Sequence, residues 1–357
     1  MQLGIIGLPQ SGKTTLFNAL TRGNVPAEIS GGRVEVHTAV IDVPDERLEQ
    51  LVLIFKPKKV VHAKVTYADI AGLQSKAVDK GISGSLLNTL AQMDGFIHVV
   101  RHFVNPSVPH SAGSVDPFRD LAEMETELIL NDLILVERKL ERLSEERQRG
   151  GYRRDKVLVE KEMELFSKLQ ALLTDEIPLR NEDFSEEEYK LLSSYGLLTR
   201  KPQLIVINQS EDQSPIEIEL PFAKTAALCM PAKLEMEIAQ LPLNEAKVFL
   251  DEFKIEEPSL NRFIRLSYAL LDQLSFFTGA EKEVHAWTVT NGATAKEAAG
   301  AIHSDMEKGF IRAEVIAWDQ LVAFGSYAAA RQEGKLRLEG KDYLVKDGDV
   351  LTIRFNV

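Results

Sequence analysis

The sequence predicts an α/β protein: a mostly parallel sheet with a phosphate-binding loop, an inserted antiparallel helical hairpin, and a C-terminal α+β domain of β-grasp kind. Three observations predict it. An apolar run, Leu3-Gly4-Ile5-Ile6, leads straight into Gly7-Leu8-Pro9-Gln10-Ser11-Gly12-Lys13-Thr14, which matches GxxxxGK[ST] at every fixed position. Strand and helix signals then alternate, as a parallel sheet requires. Between about Leu121 and Arg200 the alternation stops and a heptad seam takes over.

The first element is a strand, then the loop, then a helix beginning Thr15-Leu16-Phe17. Phosphate chemistry needs this order. Glycines let consecutive backbone N–H groups turn inward, Lys13 reaches the β- and γ-phosphates, and the Thr14 hydroxyl ligates Mg²⁺. The helix N-terminus adds positive partial charge. Gly7, Pro9, Gln10, Ser11, Gly12, Lys13, Thr14 and Thr15 are therefore candidate nucleotide contacts.

Residues 36–43, 63–68, 95–103, 203–208 and 224–230 read as further strands from their β-branched content. In the interruption, Ile129, Leu133, Val136, Leu140 and Leu143 step by 4, 3, 4, 3 along one helix. A Gly150-Gly151 turn follows, and Val159, Met163, Phe166, Leu169 and Leu173 line a second helix. Two such helices joined by a short turn make an antiparallel arm. Residues 260–277 read as an apolar linking helix. Beyond it, residues 285–290, 314–317, 341–345 and 349–355 read as strands, with a helix over 295–308.

Composition excludes several classes. At 44% hydrophobic and 27% charged, the 357 residues are those of a globular protein. No apolar run of about 18 residues marks a membrane span, and a core strand at the start argues against a cleaved signal peptide. One cysteine, Cys229, leaves no intrachain disulfide or Cys-based metal cluster and suits a reducing cytoplasm. Cys229 reads as a small buried apolar residue, with a redox switch as the alternative. The net charge of −12 disfavours nucleic-acid binding by the whole surface. A local patch from Arg147 to Lys156 packs five positive charges around Tyr152, either as a solvated loop tip or as an RNA contact.

Tyr67-Ala68-Asp69-Ile70-Ala71-Gly72-Leu73 supplies DxxG at a strand end, about 55 residues after the loop. In P-loop switch enzymes this Asp, here Asp69, holds Mg²⁺ through water, and the Gly N–H, here Gly72, senses the γ-phosphate. Leu73 stands where many GTPases place a water-orienting Gln, so another group must supply hydrolysis. His110, in a loop of turn formers, and Arg101 are the polar candidates. Where guanine readers carry NKxD, this chain has Asn208-Gln209-Ser210-Glu211. The longer Glu211 cannot take the Asp position without shifting the base, so guanine selectivity is weakened and adenine fits. Pro231-Ala232-Lys233 stands where a loop would wrap the base, its backbone toward the exocyclic group.

These residues, with Val43-Pro44-Asp45-Glu46-Arg47-Leu48, Asp116-Pro117, Arg119-Asp120, the stretch from Ala299 to Glu314, and Arg354-Phe355-Asn356-Val357, resemble the YchF / Obg-like ATPase family over nearly the whole chain. The resemblance implies a P-loop G domain (1–120 and 201–280), a helical insertion (121–200) and a C-terminal TGS domain (281–357). It also implies slow hydrolysis of ATP, and possibly GTP, with Mg²⁺, by a cytoplasmic, ribosome-associated switch. It places the hydrophobic residue of the catalytic-Gln position at Leu73 and a proposed catalytic histidine at His110. Asn208, Glu211 and Ala232 are the implied base contacts, and Thr38 the implied switch ligand to Mg²⁺. Two departures bear on hydrolysis: a different glycine-rich stretch at residues 81–86 and a shorter segment over 30–44. A strictly GTP-specific GTPase and a nucleotide-binding scaffold with negligible turnover are the alternatives.

Overall fold

Leu3, Ile5 and Ile6 are wholly buried, and the strand they form is an interior strand of a six-stranded sheet. The computed structural model describes residues 1–23, 36–70, 84–148, 156–217, 223–253, 255 and 257–356. Gly72, Leu73 and the arm tip from Arg149 to Asp155 lie outside the described residues.

In chain order the elements are β1 (Gln2–Ile6), α1 (Lys13–Thr21), β2 (Val36–Asp42), α2 (Glu46–Phe55), β3 (Lys59–Val61), β4 (Lys64–Ile70), α3 (Gly84–Ala91) and β5 (Gly95–Arg101). Three helices follow: α4 (Pro117–Gln148), α5 (Lys156–Thr174) and α6 (Glu186–Leu192). Next come β6 (Gln203–Asn208), β7 (Thr225–Met230), α7 (Ala232–Gln240), α8 (Leu243–Glu252) and α9 (Ser259–Leu270). The C-terminal part runs β8 (Gln273–Gly279), β9 (Glu283–Thr290), α10 (Ala295–Ile302), α11 (Ser304–Lys308), β10 (Phe310–Ala317), α12 (Trp318–Phe324), α13 (Tyr327–Gln332), β11 (Arg337–Glu339) and β12 (Asp349–Phe355).

The chain divides into two compact units, one of Met1–Ala39 with Thr66–Phe263, the other of Val40–Val65 with Ile264–Val357. The first unit holds the sheet ordered β2-β4-β1-β5-β6-β7. β1 runs parallel to β4 and β5, β5 to β6, and β6 to β7. Their C-terminal ends therefore share one edge, where loops of such sheets bind ligands. All residues of β5 and β6 are buried, as expected for central parallel strands. On one side Ile6, Ala68, Leu90, Phe96, Met124 and Leu128 form a common core.

The helical insertion begins at Pro117, in the first helical position that proline favours. Asp116 accepts hydrogen bonds from the Phe118 and Arg119 amides and caps it. Ile129, Val136, Phe166, Leu169 and Leu173 are buried in the seam, with Leu133 and Leu140 packed at its margin. Met163 is only half-buried. Leu165 takes the buried position beside it, together with Glu162, which pairs with Lys139 at 2.6 Å.

The second unit is a mixed six-stranded sheet, β11-β10-β12-β8-β9-β3, with α10 covering Phe276, Val289 and Leu351. Two expectations are corrected here. Residues 260–277 are not one helix: α9 ends at Leu270, Asp272 turns at φ 53°, and β8 follows. Four buried residues in a row, Leu274 to Phe277, mark a strand covered on both faces. Residues 341–345 form no strand beyond a single bridge from Thr294 to Leu344. Asp349 there accepts from the Lys346 amide and the Tyr343 hydroxyl and holds the segment as a turn. β3, absent from the sequence reading, pairs parallel with β9. Cys229 is half-buried, its thiol 3.5 Å from the Ile216 carbonyl. Among the described residues no helix is long and apolar enough to cross a membrane.

Candidate nucleotide site

The loop between β1 and α1 bends through backbone that only glycine adopts freely. Gly7 has φ 145° and Gly12 φ 100°. A Cβ at Gly7 would overlap the Val99 carbonyl, and one at Gly12 would overlap the Asn208 amide. The loop is thus pressed against β5 and β6 with no room for side chains. Gln10 takes φ 62°, and Ser11 is buried. Lys13 opens α1, and its ammonium donates to the Gly7 and Leu8 carbonyls at 2.9 Å each. Burial lowers its pKa to about 8, against the attraction of Asp69.

The β1–β4 register sets Asp69 opposite Ile5, one residue short of the loop. The Thr14 hydroxyl donates to Asp69 at 3.1 Å. Burial raises the Asp69 carboxyl, opposed by that bond and by the charges of Lys13 and His37. A hydroxyl beside a carboxylate at a lysine is the hard-oxygen donor set that suits Mg²⁺. Among the described residues Thr38, on the edge strand β2, makes no hydrogen bond to this pair.

At the other end stands Asn208, last residue of β6. Its amide donates to the Ser11 carbonyl at 2.9 Å, and its side-chain oxygen accepts from the Ala232 amide at 3.1 Å. Its own carbonyl accepts from His102 and Phe103. Asn208 thereby ties together the phosphate loop, the segment after β7 and the end of β5. These bonds occupy both polar ends of its side chain and the Ala232 N–H. Asn208 and Ala232, expected as base contacts, thus also organise the site, and Asn208 retains a second N–H and a second acceptor lone pair.

Between these ends lies a cavity of about 910 Å³. Gln10, Gly12, Lys13, Thr14 and Thr15 line the phosphate end, and Gln209, Glu211, Pro231 and Leu234 the other. Gly7, Pro9, Ser11 and Ala232 are not among its lining residues. The sequence reading missed one wall, formed by Phe103, Asn105, Pro106 and Val108. Arg101 holds that wall: its guanidinium donates to the Phe103 and Val108 carbonyls and lies 4.5 Å from the Phe103 ring centre. The turn formers there were a usable signal.

His110 belongs to the same loop but does not line the cavity. Its Nδ1 accepts from the Ala112 amide at 3.1 Å, so Nε2 carries the proton and donates to Asp120 at 2.7 Å. Both side chains are 3% exposed. Arg119 holds the other Asp120 oxygen. The loop is thereby fastened to the first turn of α4.

A parallel sheet with this loop between its first strand and helix, and a Thr–Asp pair beside the lysine, defines a P-loop nucleotide-binding protein of the GTPase type. A family model described as "50S ribosome-binding GTPase" matches residues 2–139, and the YchF-GTPase C-terminal model, described as "Protein of unknown function (DUF933)", matches residues 274–356. The chain is similar to the ribosome-binding ATPase YchF of Bacillus subtilis (41% identity over 99% of both chains) and of Haemophilus influenzae (42%, again 99% of both). It is 34% identical to the Obg-like ATPase 1 of Oryza sativa subsp. japonica, covering all of this chain and 92% of that one. The structure of the Schizosaccharomyces pombe YchF GTPase superposes with a TM-score of 0.81 at 29% identity, covering 99% of this chain and 97% of the other. The chain belongs to the YchF family.

Proposed function

We propose that this protein binds ATP, with GTP as a poorer or equal ligand, hydrolyses it slowly, and acts as a cytoplasmic conformational switch on the ribosome. The observation that carries the reading is the Thr14–Asp69 pair at 3.1 Å beside Lys13 in a glycine-bent loop. Thr14 would ligate Mg²⁺ directly and Asp69 through water. The ion would supply charge neutralisation between the β- and γ-phosphates. Lys13 would leave the loop carbonyls for the phosphates, and the loop amides would hold the oxygens. Gln209 and Glu211 would face the base.

In this reading residues 1–120 and 201–280 form the nucleotide domain, apart from 40–65 and 264–280, which pack in the C-terminal unit. The arm (121–200) and the TGS domain (281–357) meet the ribosome, whose binding is named for the bacterial relatives. His110 is the candidate catalytic polar group, with Leu73 in place of a water-orienting Gln. His110 would have to leave Asp120 to act, since both ring nitrogens are engaged. That engagement favours one second reading: a nucleotide-binding scaffold whose turnover is negligible unless a partner loosens the loop.

Calorimetric titration with non-hydrolysable ATP and GTP analogues, then phosphate release with and without ribosomes, tests both. Binding of ATP at least as tight as GTP, with release stimulated by ribosomes, is expected. A tenfold preference for GTP overturns the adenine assignment. Phosphate release at the uncatalysed rate, even with ribosomes, establishes the scaffold.

A further inference from the structure

Two side chains at the loop between β5 and α4 are at odds with their surroundings. Arg101, the last residue of β5, is 2% exposed, yet its Nη1 has no hydrogen-bond partner among the described residues. Its Nε and Nη2 are spent on the Phe103 and Val108 carbonyls, at 3.2 and 2.7 Å. A buried donor without an acceptor costs its full desolvation. His110 has the opposite problem. The Ala112 amide engages Nδ1, and Nε2 donates to Asp120. A ring held at both nitrogens has none left with which to orient water or accept its proton.

Asp120 connects the two. Its Oδ2 accepts from His110, and its Oδ1 accepts from Arg119 through Nε at 3.0 Å and Nη2 at 2.6 Å. Arg119 is anchored in turn on the Ser114 carbonyl at 2.8 Å. The carboxylate is therefore held at Oδ1, and the partner of Oδ2 is the one that can change. Burial lowers the Arg101 pKa and the charge of Asp120 opposes it, so the two ions already interact. Departure of His110 leaves Oδ2 a buried acceptor without a donor, and Arg101 Nη1 is a buried donor without an acceptor. Joining them satisfies both with a charge-assisted bond. The guanidinium is always charged, so the exchange needs no proton. Asp120 also lies in the first turn of α4, the long helix of the arm, so a displacement of that helix moves the carboxylate itself.

We propose that Asp120 is a positioning residue that holds His110 out of use, and that Arg101 takes over its Oδ2 through Nη1 when His110 is released for hydrolysis. The proposal rests on the catalytic reading of His110 above. It adds what restrains that residue and what replaces it.

The test is phosphate release by the full-length protein without ribosomes, for wild type, Asp120→Asn, His110→Ala and the double variant. Asp120→Asn keeps the shape of the side chain and removes its charge. It is expected to raise release about tenfold, a modest part of what a positioned acid or base contributes. The double variant is expected to show no gain. Nitrogen NMR of labelled histidines, with His110→Gln to identify the signal, should show a neutral ring protonated at Nε2 and slow to exchange in wild type. A crystal structure of His110→Ala should place Arg101 Nη1 within hydrogen-bond distance of Asp120 Oδ2. An equal or lower rate in Asp120→Asn overturns the proposal, since Asp120 then does not restrain His110. A gain that survives in the double variant overturns it too. So does a wild-type His110 ring in rapid exchange with water, a result that needs no variant to fold. Oδ2 bonded to water in His110→Ala overturns the exchange with Arg101. Wild-type turnover of His110→Ala with ribosomes present removes the catalytic reading of His110, and the proposal with it, whatever Asp120→Asn does.

Discussion

Lys13 has two tasks that pull against each other. It is half of the loop's own hydrogen bonding and the cation meant for the phosphates. Burial lowers its pKa to about 8, so above that pH it is largely neutral before ligand arrives. A triphosphate favours the charged form, and binding then takes up a proton. Triphosphate affinity is expected to fall as pH rises through about 8, with calorimetry in two buffers of different ionisation enthalpy reporting the proton taken up. Lys13→Ala should abolish or strongly weaken binding in equilibrium dialysis. At the far end, Gln209→Lys with Glu211→Asp is expected to move preference toward GTP. The shorter carboxylate can then meet both guanine donors, and the lysine loses the bond from Gln209 to the Gln213 carbonyl. Competition binding with both nucleotides reads the shift.

The phosphate loop was legible as a loop because its glycine spacing is dictated by the backbone it must adopt. The bonds by which Asn208 and Ala232 hold it in place were not legible. Both were known as positions, but only folding shows that their polar atoms face each other and the Ser11 carbonyl rather than open space.

Among elements, the arm was legible because its seam repeats over many residues, and a long period leaves little choice of structure. β8 was not, since a short buried strand and a helix segment look alike in an apolar run. At the arm base, Asp132 of α4 accepts from the Leu198 and Thr199 amides and from the Thr199 hydroxyl. Burial nevertheless raises its carboxyl from 3.8 to about 6. The folded state therefore holds a proton that the unfolded state releases, and stability is expected to fall as pH rises from about 4 to about 6. Urea unfolding across that range should show the slope in wild type and lose it in Asp132→Asn. At the other end of the arm, Arg147, Arg149, Arg153 and Arg154 changed to Glu should lower ribosome co-sedimentation and its salt sensitivity while sparing ATP affinity. Equal pelleting of this variant would make the tip's charge ordinary solvation.

For the whole molecule, chain order and compact units disagree. The C-terminal sheet is completed by Val40–Val65. Within that unit Leu48 and Leu51 of α2 are fully buried, Arg47 bonds Asp347 at 2.6 Å, and β3 extends the sheet beyond β9. Each leucine contributes about 2 kcal/mol by burial. A fragment of residues 264–357 is expected to lose hydrogen-exchange protection along β9. The same fragment tethered to residues 40–65 should regain it. Full protection in the short fragment would show α2 and β3 to be dispensable. Local patterning could not reveal this arrangement, because no signal within β3 names a partner so far along the chain.

That partnership also sets a timetable. Lys59 and Glu283, which pair across β3 and β9, are separated by 224 residues. At synthesis rates of 5–20 residues per second, the first waits roughly 10–45 s for the second. Throughout that interval α2 has an uncovered apolar stripe and β3 an unpaired edge, the two features most prone to wrong association in a nascent chain. The protein's most vulnerable moment thus falls before its own synthesis is complete, and it is set by topology, not by the strength of any finished contact.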